Sequence, residues 1–164
     1  MKLIQILIFF IISISALAGE PSCKIIQYGI IGEMPSNQFH FKNPDAATGK
    51  TGKVTASVKD KMPFCCQTTK IPAKLGITFG VRHQFIDIPE LGVIHSIITH
   101  PPMLSPSGEY KTTTSSTKSP TGIGDTYTFD TKEEVLSGVW TFSYYYNDKL
   151  LCQKKFTVYE NNSL

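Results

Sequence analysis

An alternating aromatic pattern near the end of the chain constrains the fold most. Within residues 139–146 (VWTFSYYY), large aromatic side chains occupy every second position: Trp140, Phe142, Tyr144 and Tyr146. Because successive side chains of a β-strand point to opposite faces, these four share one face. A buried aromatic side chain removes about 150–250 Å² from water. We therefore expect this face to form the centre of the hydrophobic core.

The run at residues 150–159 follows an Asn147-Asp148 turn signal and is expected to pair with the aromatic strand as a hairpin. A strict two-residue turn would place a core aromatic opposite a glutamine. A three-residue loop, Asn147 to Lys149, pairs apolar side chains instead. Register follows the apolar pattern, so we predict that loop. It gives two cross-strand pairs: Trp140 with Phe156, and Tyr144 with Cys152.

Short runs of alternating or β-branched residues, divided by Gly, Pro, Asn and Ser clusters, also fill the preceding part of the chain. No segment after residue 18 has the helical period over a useful length, so an all-β protein is predicted. The segment 77–87 is expected to fold back through Pro89 as a hairpin. Pro101 and Pro102 are expected to end the following strand. Strands are predicted at residues 24–31, 52–59, 77–87, 93–99, 110–116 (an exposed edge) and 126–130.

The first 18 residues have the pattern of a secretory signal peptide. Lys2 precedes an apolar run from Leu3 to Ile14, and small residues follow up to Ala18. This run is shorter than the roughly 20 residues of a membrane span. We therefore predict cleavage after Ala18, export to the periplasm or medium, and one domain over residues 19–164 with no membrane span after cleavage.

The charge and size of the chain exclude some classes of protein. With 16 basic and 13 acidic residues the net charge is only +3, which does not indicate a nucleic-acid partner. A chain of this length buries enough surface for a core without relying on disulfides. About seven strands with turn signals between them, and a tryptophan in a late strand, predict a single antiparallel immunoglobulin-like β-sandwich.

Four cysteines, Cys23, Cys65, Cys66 and Cys152, lie in the predicted exported part, where disulfides persist. Four thiols allow three pairings, and the sequence alone does not choose among them. In such sandwiches the first strand commonly runs parallel to the last, which would place Cys23 and Cys152 on the same side, so we favour that pair. Adjacent Cys65 and Cys66 should point to opposite sides of an extended chain, and their state stays open. Zinc is the alternative, but C-x₂-C spacing is absent.

The histidines provide a second metal hypothesis. A hairpin around Pro89 with an odd loop would bring His83 across from His95, and two imidazoles that close can ligate copper or zinc. Asp87 or His100 would then supply a further ligand. An even loop separates the two rings, and His83 lies among apolar residues, where a hydrogen-bonded core histidine is commoner. We therefore assign no metal, cofactor or catalytic site.

Recognition of a protein or glycan is the remaining functional class. Alternation places Tyr110, Tyr145 and Tyr159 away from the Trp140 face, where exposed aromatics can form a recognition platform. The sequence has no G-x-S-x-G elbow. The TGKT fragment at residues 48–51 lacks the first glycine of a phosphate-binding loop. We therefore expect a non-enzymatic exported binding or structural module, with a small copper- or zinc-binding protein using His83 and His95 as the alternative.

Two combinations of residues resemble a known family. Residues 71–76 (IPAKLG) lead into residues 79–82 (FGVR), and residues 138–142 (GVWTF) follow later. Together they are similar to a bacterial exported family known as domain of unknown function 3859, and the resemblance covers essentially the whole mature chain. It implies a small exported β-domain and transfers no catalytic residue. The four cysteines depart from the family pattern.

Overall fold

A computed structural model describes residues 19–32, 63–105 and 107–160 of the protein. These residues form nine strands and a short 3-10 helix at Lys132–Glu134. The predicted signal peptide and the predicted strand at 52–59 lie outside the described residues. No helix among the residues described is long and apolar enough to cross a membrane. The strands are β1 (Ser22–Ile31), β2 (Phe64–Cys66), β3 (Lys70–Pro72), β4 (Thr78–Ile86), β5 (Ile94–Leu104), β6 (Tyr110–Lys118), β7 (Gly124–Thr128), β8 (Gly138–Tyr146) and β9 (Lys149–Tyr159).

The strands form two sheets packed face to face. The four-stranded sheet has the order β2-β1-β4-β7, and the five-stranded sheet has the order β3-β9-β8-β5-β6. All pairs are antiparallel except β3 with β9. The predicted immunoglobulin-like sandwich is confirmed, and the predicted threonine-rich edge is β6. The two short strands β2 and β3 were not expected from the sequence.

The predicted aromatic face lies at the centre of the core. Trp140, Phe142 and Tyr144 are fully buried, and Tyr146 packs against them at the rim. The Trp140 indole N–H donates to the Leu136 carbonyl at 3.1 Å, which satisfies the one polar atom that this ring buries. From the opposite sheet, side chains of β4 and the end of β7 complete the aromatic cluster.

The β8–β9 hairpin has the predicted pairs but a different turn. Trp140 lies opposite Phe156, and Tyr144 lies opposite Cys152, as expected. The loop is however a two-residue turn, with Asn147 and Asp148 both at positive φ (47° and 60°), the geometry of a type I′ hairpin. Tyr145 then faces Leu150, so one extra residue forms a bulge in β9 and restores the apolar register. The prediction of a three-residue loop is therefore wrong, whereas the two cross-strand pairs that motivated it are confirmed.

Strand β5 continues through its prolines rather than ending before them. It runs to Leu104, beyond Pro101 and Pro102. Pairing with β8 stops at Thr99, and pairing with β6 is interrupted between Thr99 and Met103. The prolines therefore occupy the stretch where no ladder bond is required, which is the condition under which proline is tolerated in a strand.

The predicted disulfide between Cys23 and Cys152 is present, with Cα atoms 5.5 Å apart. Cys23 lies at the start of β1 in one sheet, and Cys152 lies near the start of β9 in the other. The bond therefore joins the two sheets directly. Its two ends are 129 residues apart in sequence.

Candidate functional site

The proposed histidine pair does not form. His83 lies on β4 in the four-stranded sheet, whereas His95 lies on β5 in the five-stranded sheet. The β4–β5 connection crosses between the sheets, so the predicted hairpin around Pro89 was wrong. The physical reason is that both edges of each strand are already occupied, since β4 lies between β1 and β7 and β5 lies between β8 and β6. His95 is exposed, and His83 is 2% exposed.

The two residues suggested as further ligands, His100 and Asp87, do not complete a metal site with either histidine. His100 is buried on β5, where its Nδ1–H donates to the Pro101 carbonyl at 2.8 Å and its ring lies against Trp140 in a tilted arrangement, with centroids 5.1 Å apart. Asp87 is exposed just after β4. Within the described ranges, no group of three or more His, Cys, Asp or Glu side chains is placed to hold a metal ion. The structure therefore does not support a metal site built on His83 and His95.

His83 instead belongs to a buried polar cluster around Asp125, which we call the Asp125 cluster. Lys118 Nζ lies 2.6 Å from Asp125 Oδ1, and the Ser96 hydroxyl donates to Oδ2 at 3.1 Å. The His83 Nε2 atom lies 3.8 Å from Oδ2, which is an electrostatic contact longer than a hydrogen bond. These four side chains come from β4, β5, β6 and β7, so both sheets contribute to the cluster.

The electrostatics of this cluster favour an ionised carboxylate. Burial by itself would raise the pKa of Asp125, but the His83 ring, the Lys118 ammonium group and the Tyr144 hydroxyl outweigh it, so the pKa lies below its ordinary value of 3.8. Burial, followed by the charge of Asp125, raises the pKa of Tyr144 well above its ordinary value. The buried charge is therefore compensated within the sandwich.

The Asp125 cluster contains serine, histidine and aspartate but does not have the arrangement of a catalytic triad. The Ser96 hydroxyl donates to the carboxylate and makes no hydrogen bond to His83. A serine nucleophile requires a base within hydrogen-bond reach of its hydroxyl and an accessible oxygen. Ser96, His83 and Asp125 are all buried. The cluster is suited to holding the two sheets in register rather than to attacking a substrate.

Sequence reasoning missed the cluster, although a signal was present. Asp125 precedes Tyr127 and Phe129 in the same two-residue alternation, so it faces the same way as two core aromatics. An acidic residue at an inward position requires a buried partner. That partner, Lys118, lies on β6 in the other sheet, and no sequence pattern connects the two positions.

The Asp125 cluster should make the free energy of unfolding depend on pH in the acidic range. Because the pKa of Asp125 is lower in the folded state, its stabilising contribution is complete above about pH 4 and is lost as pH falls through the folded-state pKa. We expect Asp125→Asn to lower the free energy of unfolding by about 2 kcal/mol near pH 7. The difference from the wild type should shrink below about pH 4.

Urea unfolding followed by the fluorescence of the single tryptophan, Trp140, measures this difference at each pH. Other acidic groups titrate in both proteins, so comparing wild type with Asp125→Asn isolates the one carboxylate. A constant difference from neutral to strongly acidic pH would show that Asp125 is not held ionised by its neighbours.

The three connections nearest to the Asp125 cluster lie together at one end of the sandwich, which we call the loop end. They are residues 87–93 between β4 and β5, 119–123 between β6 and β7, and 147–148 between β8 and β9. Backbone hydrogen bonds close two of them: Gly92 N–H to the Pro89 carbonyl, and Gly122 N–H to the Ser119 carbonyl. The His83 N–H also donates to the Ile123 carbonyl and anchors the second connection to β4.

The most exposed large apolar side chain in the described part of the chain is at the loop end. Leu91 is 94% exposed at the tip of the first connection, and the nearby Val93 is 50% exposed. An open hollow of about 290 Å³ lies on one side, between residues 90–93 and 117–119. A second hollow of about 410 Å³ lies on the other side, between residues 91–95 and 146–148. The Leu91 turn therefore forms a ridge between two depressions.

The predicted tyrosine platform is not formed. Tyr145 pairs with His95 near the loop end, whereas Tyr110 begins β6 and Tyr159 ends β9 at the opposite end of the sheet. Strands β8 and β5 also separate Tyr110 from Tyr159. Tyr145 and Tyr159 lie on the side away from the Trp140 face, as alternation predicts, and Tyr110 is 73% exposed at the end of its strand. Alternation does not specify positions along and across the sheet. The three rings therefore do not make one patch.

Comparison with known proteins identifies the family. A family model described as "Domain of unknown function (DUF3859)" matches residues 20–158. The chain belongs to the DUF3859 family. The resemblance inferred from the sequence is thereby confirmed. Comparison with curated proteins finds no match.

Among solved structures, this DUF3859 domain is similar to an immunoglobulin-like protein from Pseudomonas aeruginosa, with 23% sequence identity and a TM-score of 0.61. The match covers 87% of this chain and 98% of the other. At that identity the likeness shows a shared fold, and function has to be argued from the residues of the site.

Proposed function

We propose that this DUF3859 domain is an exported, non-enzymatic binding module whose loop end holds a protein partner. The observation that carries the proposal is the nearly complete exposure of Leu91 on a hydrogen-bonded turn. Rigid sheets that present loops at one end are a common arrangement for recognition, since the scaffold fixes the loop positions. The alternation of hollow, apolar ridge and hollow offers a shaped surface for a complementary protein.

The chemistry of the ridge favours a protein over a glycan. Leu91 and Val93 are aliphatic, and exposing them to water costs free energy that burial in a partner recovers. Polar groups surround them, including Glu90, His95 and Asp148, which line the two hollows. An apolar centre with a polar rim is the usual anatomy of a protein interface.

Export is supported by the leader pattern of residues 1–18 and by the disulfide between Cys23 and Cys152. Structural disulfides persist in oxidising compartments such as the periplasm or the medium. The non-enzymatic part of the proposal is supported by the Asp125 cluster, in which Lys118 and the Ser96 hydroxyl are bound to the carboxylate inside the sandwich.

Replacing Leu91 by aspartate is expected to weaken partner binding at least about tenfold, because truncating or charging a central apolar anchor removes its burial energy. The fold should be unaffected, since Leu91 makes little contact with the core. The partner is first trapped in the native cell with a photo-crosslinking residue at position 91 and identified by mass spectrometry. Titration of purified partner with wild-type and L91D protein then gives the two dissociation constants.

Leu75 provides the matched control, since it is an exposed leucine (45%) in the turn before β4, at the other end of the sandwich. A crosslinker at position 75 should trap no partner, and L75D should bind as the wild type does. Equal trapping at positions 91 and 75, trapping at neither, or wild-type affinity in L91D would overturn the assignment of the loop end.

A further inference from the structure

The two cysteines outside the disulfide form a close pair. The Cys65 and Cys66 sulfur atoms are 3.2 Å apart, and both side chains are exposed. The expectation that adjacent cysteines on an extended chain point to opposite sides is therefore wrong here. Both residues belong to β2, the edge strand of the four-stranded sheet, at the end of the sandwich opposite to the loop end.

A bulge explains this geometry. Ile30 pairs with Cys66 and Ile31 pairs with Phe64, so Cys65 is the additional residue of β2 and has no partner position on β1. A bulge interrupts the two-residue alternation and redirects a side chain. Gly29 allows the close approach of the strands, because a Cβ atom there would lie 2.0 Å from the Cys66 carbonyl oxygen. The backbone thus holds both thiols on one accessible edge.

We propose that Cys65 and Cys66 form a redox-active dithiol that is oxidised to a vicinal disulfide by exchange with the disulfide of a small thiol or of another protein. The proposal rests on the thiol pair alone and is independent of binding at the loop end. It assigns a second site to the domain, and its reactant class is an organic disulfide.

The order of the two steps follows from the hydrogen bond between the sulfur atoms. Cys65 donates to Cys66, and this contact, with a smaller effect of burial, raises the pKa of the Cys65 thiol. Cys66 is therefore the attacking residue. Its thiolate attacks one sulfur of the reactant disulfide, forms a mixed disulfide and releases the first thiolate.

Cys65 then resolves the mixed disulfide. After losing its proton to solvent, its sulfur attacks the Cys66 sulfur, closes the Cys65–Cys66 bond and expels the second thiolate. The pair loses two protons and two electrons, and the reactant disulfide is reduced to two thiols. The sulfurs are already in contact, so ring closure requires only a small local movement.

The oxidised pair should be readily reduced again. Residues joined by a trans peptide bond have Cα atoms about 3.8 Å apart, whereas ordinary disulfides span about 4.4–6.8 Å. A vicinal disulfide is therefore strained and easily reduced. The Cys23–Cys152 pair, with its Cα atoms 5.5 Å apart, lies within the ordinary range. One domain would thus hold a structural disulfide and a reversible one.

The test uses the purified mature domain in buffers of defined ratios of reduced to oxidised glutathione. Free thiols are trapped with a maleimide, and mass spectrometry is applied to the peptide that contains Cys65 and Cys66. In excess oxidised glutathione, we expect this peptide to lose two hydrogens and to carry neither maleimide nor glutathione. In excess reduced glutathione, both thiols should return while Cys23–Cys152 stays closed.

Single serine variants are matched controls, because both positions are exposed on a short edge strand. Cys65→Ser should retain glutathione on Cys66, since the resolving thiol is gone. Cys66→Ser should retain glutathione on Cys65 in the same way, since no second thiol is left to close the ring. Stable glutathione on the wild-type pair, free thiols in excess oxidised glutathione, or failure to recover both thiols on reduction would overturn the proposal.

Discussion

Removing the disulfide between Cys23 and Cys152 is expected to lower the free energy of unfolding by about 3–5 kcal/mol. The bond joins positions 129 residues apart, so without it the unfolded chain gains the entropy of a very long open loop. Near the midpoint of thermal unfolding, the loss corresponds to a decrease of roughly 10 °C. Urea and thermal unfolding of wild type and the Cys23→Ser/Cys152→Ser variant measure both quantities.

The Cys65→Ser/Cys66→Ser variant is the control for this measurement. In the reduced domain these two thiols make no covalent link, so their replacement should change the free energy of unfolding by less than about 0.5 kcal/mol. If the Cys23→Ser/Cys152→Ser variant is as stable as this control, the disulfide does not stabilise the sandwich by joining its sheets.

Replacing Phe79 by alanine is expected to cost about 3–5 kcal/mol, the usual range for deleting a buried aromatic ring. Phe79 is fully buried on β4 and contacts rings of both sheets. Its centroid lies 5.3–5.8 Å from those of its nearest neighbours, which are Phe129, Trp140, Phe142 and Phe156. The substitution leaves a cavity between the sheets, and urea unfolding measures its cost.

Two substitutions separate the effect of packing from that of losing apolar area in general. Phe79→Leu keeps much of the volume and should cost clearly less than alanine, as volume-conserving core changes do. Val139→Ala removes apolar atoms from a side chain that is 57% exposed on β8, and it should stay within about 0.5 kcal/mol of wild type. Equal costs for Phe79→Ala and Phe79→Leu would contradict a tightly packed site at Phe79.

The strands with strong local patterns could be predicted from the sequence. Alternation in β8 placed Trp140, Phe142 and Tyr144 in the core, and apolar matching gave the correct partners in β9. The turn itself was predicted one residue too long. The Asn147-Asp148 dipeptide suits a type I′ turn, and a bulge compensates for the register shift. Local sequence does not distinguish a longer loop from a shorter loop with a bulge, because both give the same apolar pairs.

Side-chain neighbours from different sheets could not be predicted in the same way. His83 and His95 are separated because β4 and β5 pair with other strands, and a sequence-based hairpin assumes that neighbours in sequence are neighbours in the sheet. Asp125 and Lys118 form an ion pair across the sandwich. In the sequence they flank residues 119–124 (SPTGIG), whose composition predicts only a loop and does not indicate that the two side chains meet. The ridge at Leu91 likewise depends on how far its turn projects beyond the neighbouring connections.

Patterns in the sequence were sufficient to predict the all-β class and the aromatic face of the core, and they favoured, without selecting, the disulfide between the first and last strands. The strand class and the core face follow from alternation, which is encoded within short segments, whereas the pairing of the cysteines depends on where the first and last strands lie in the sandwich. The tertiary structure alone decided which polar side chains meet inside the sandwich, which apolar side chain projects at its end, and that adjacent thiols touch. Such contacts depend on strand order, crossovers and bulges, and these are set by the packing of the whole domain rather than by neighbouring residues.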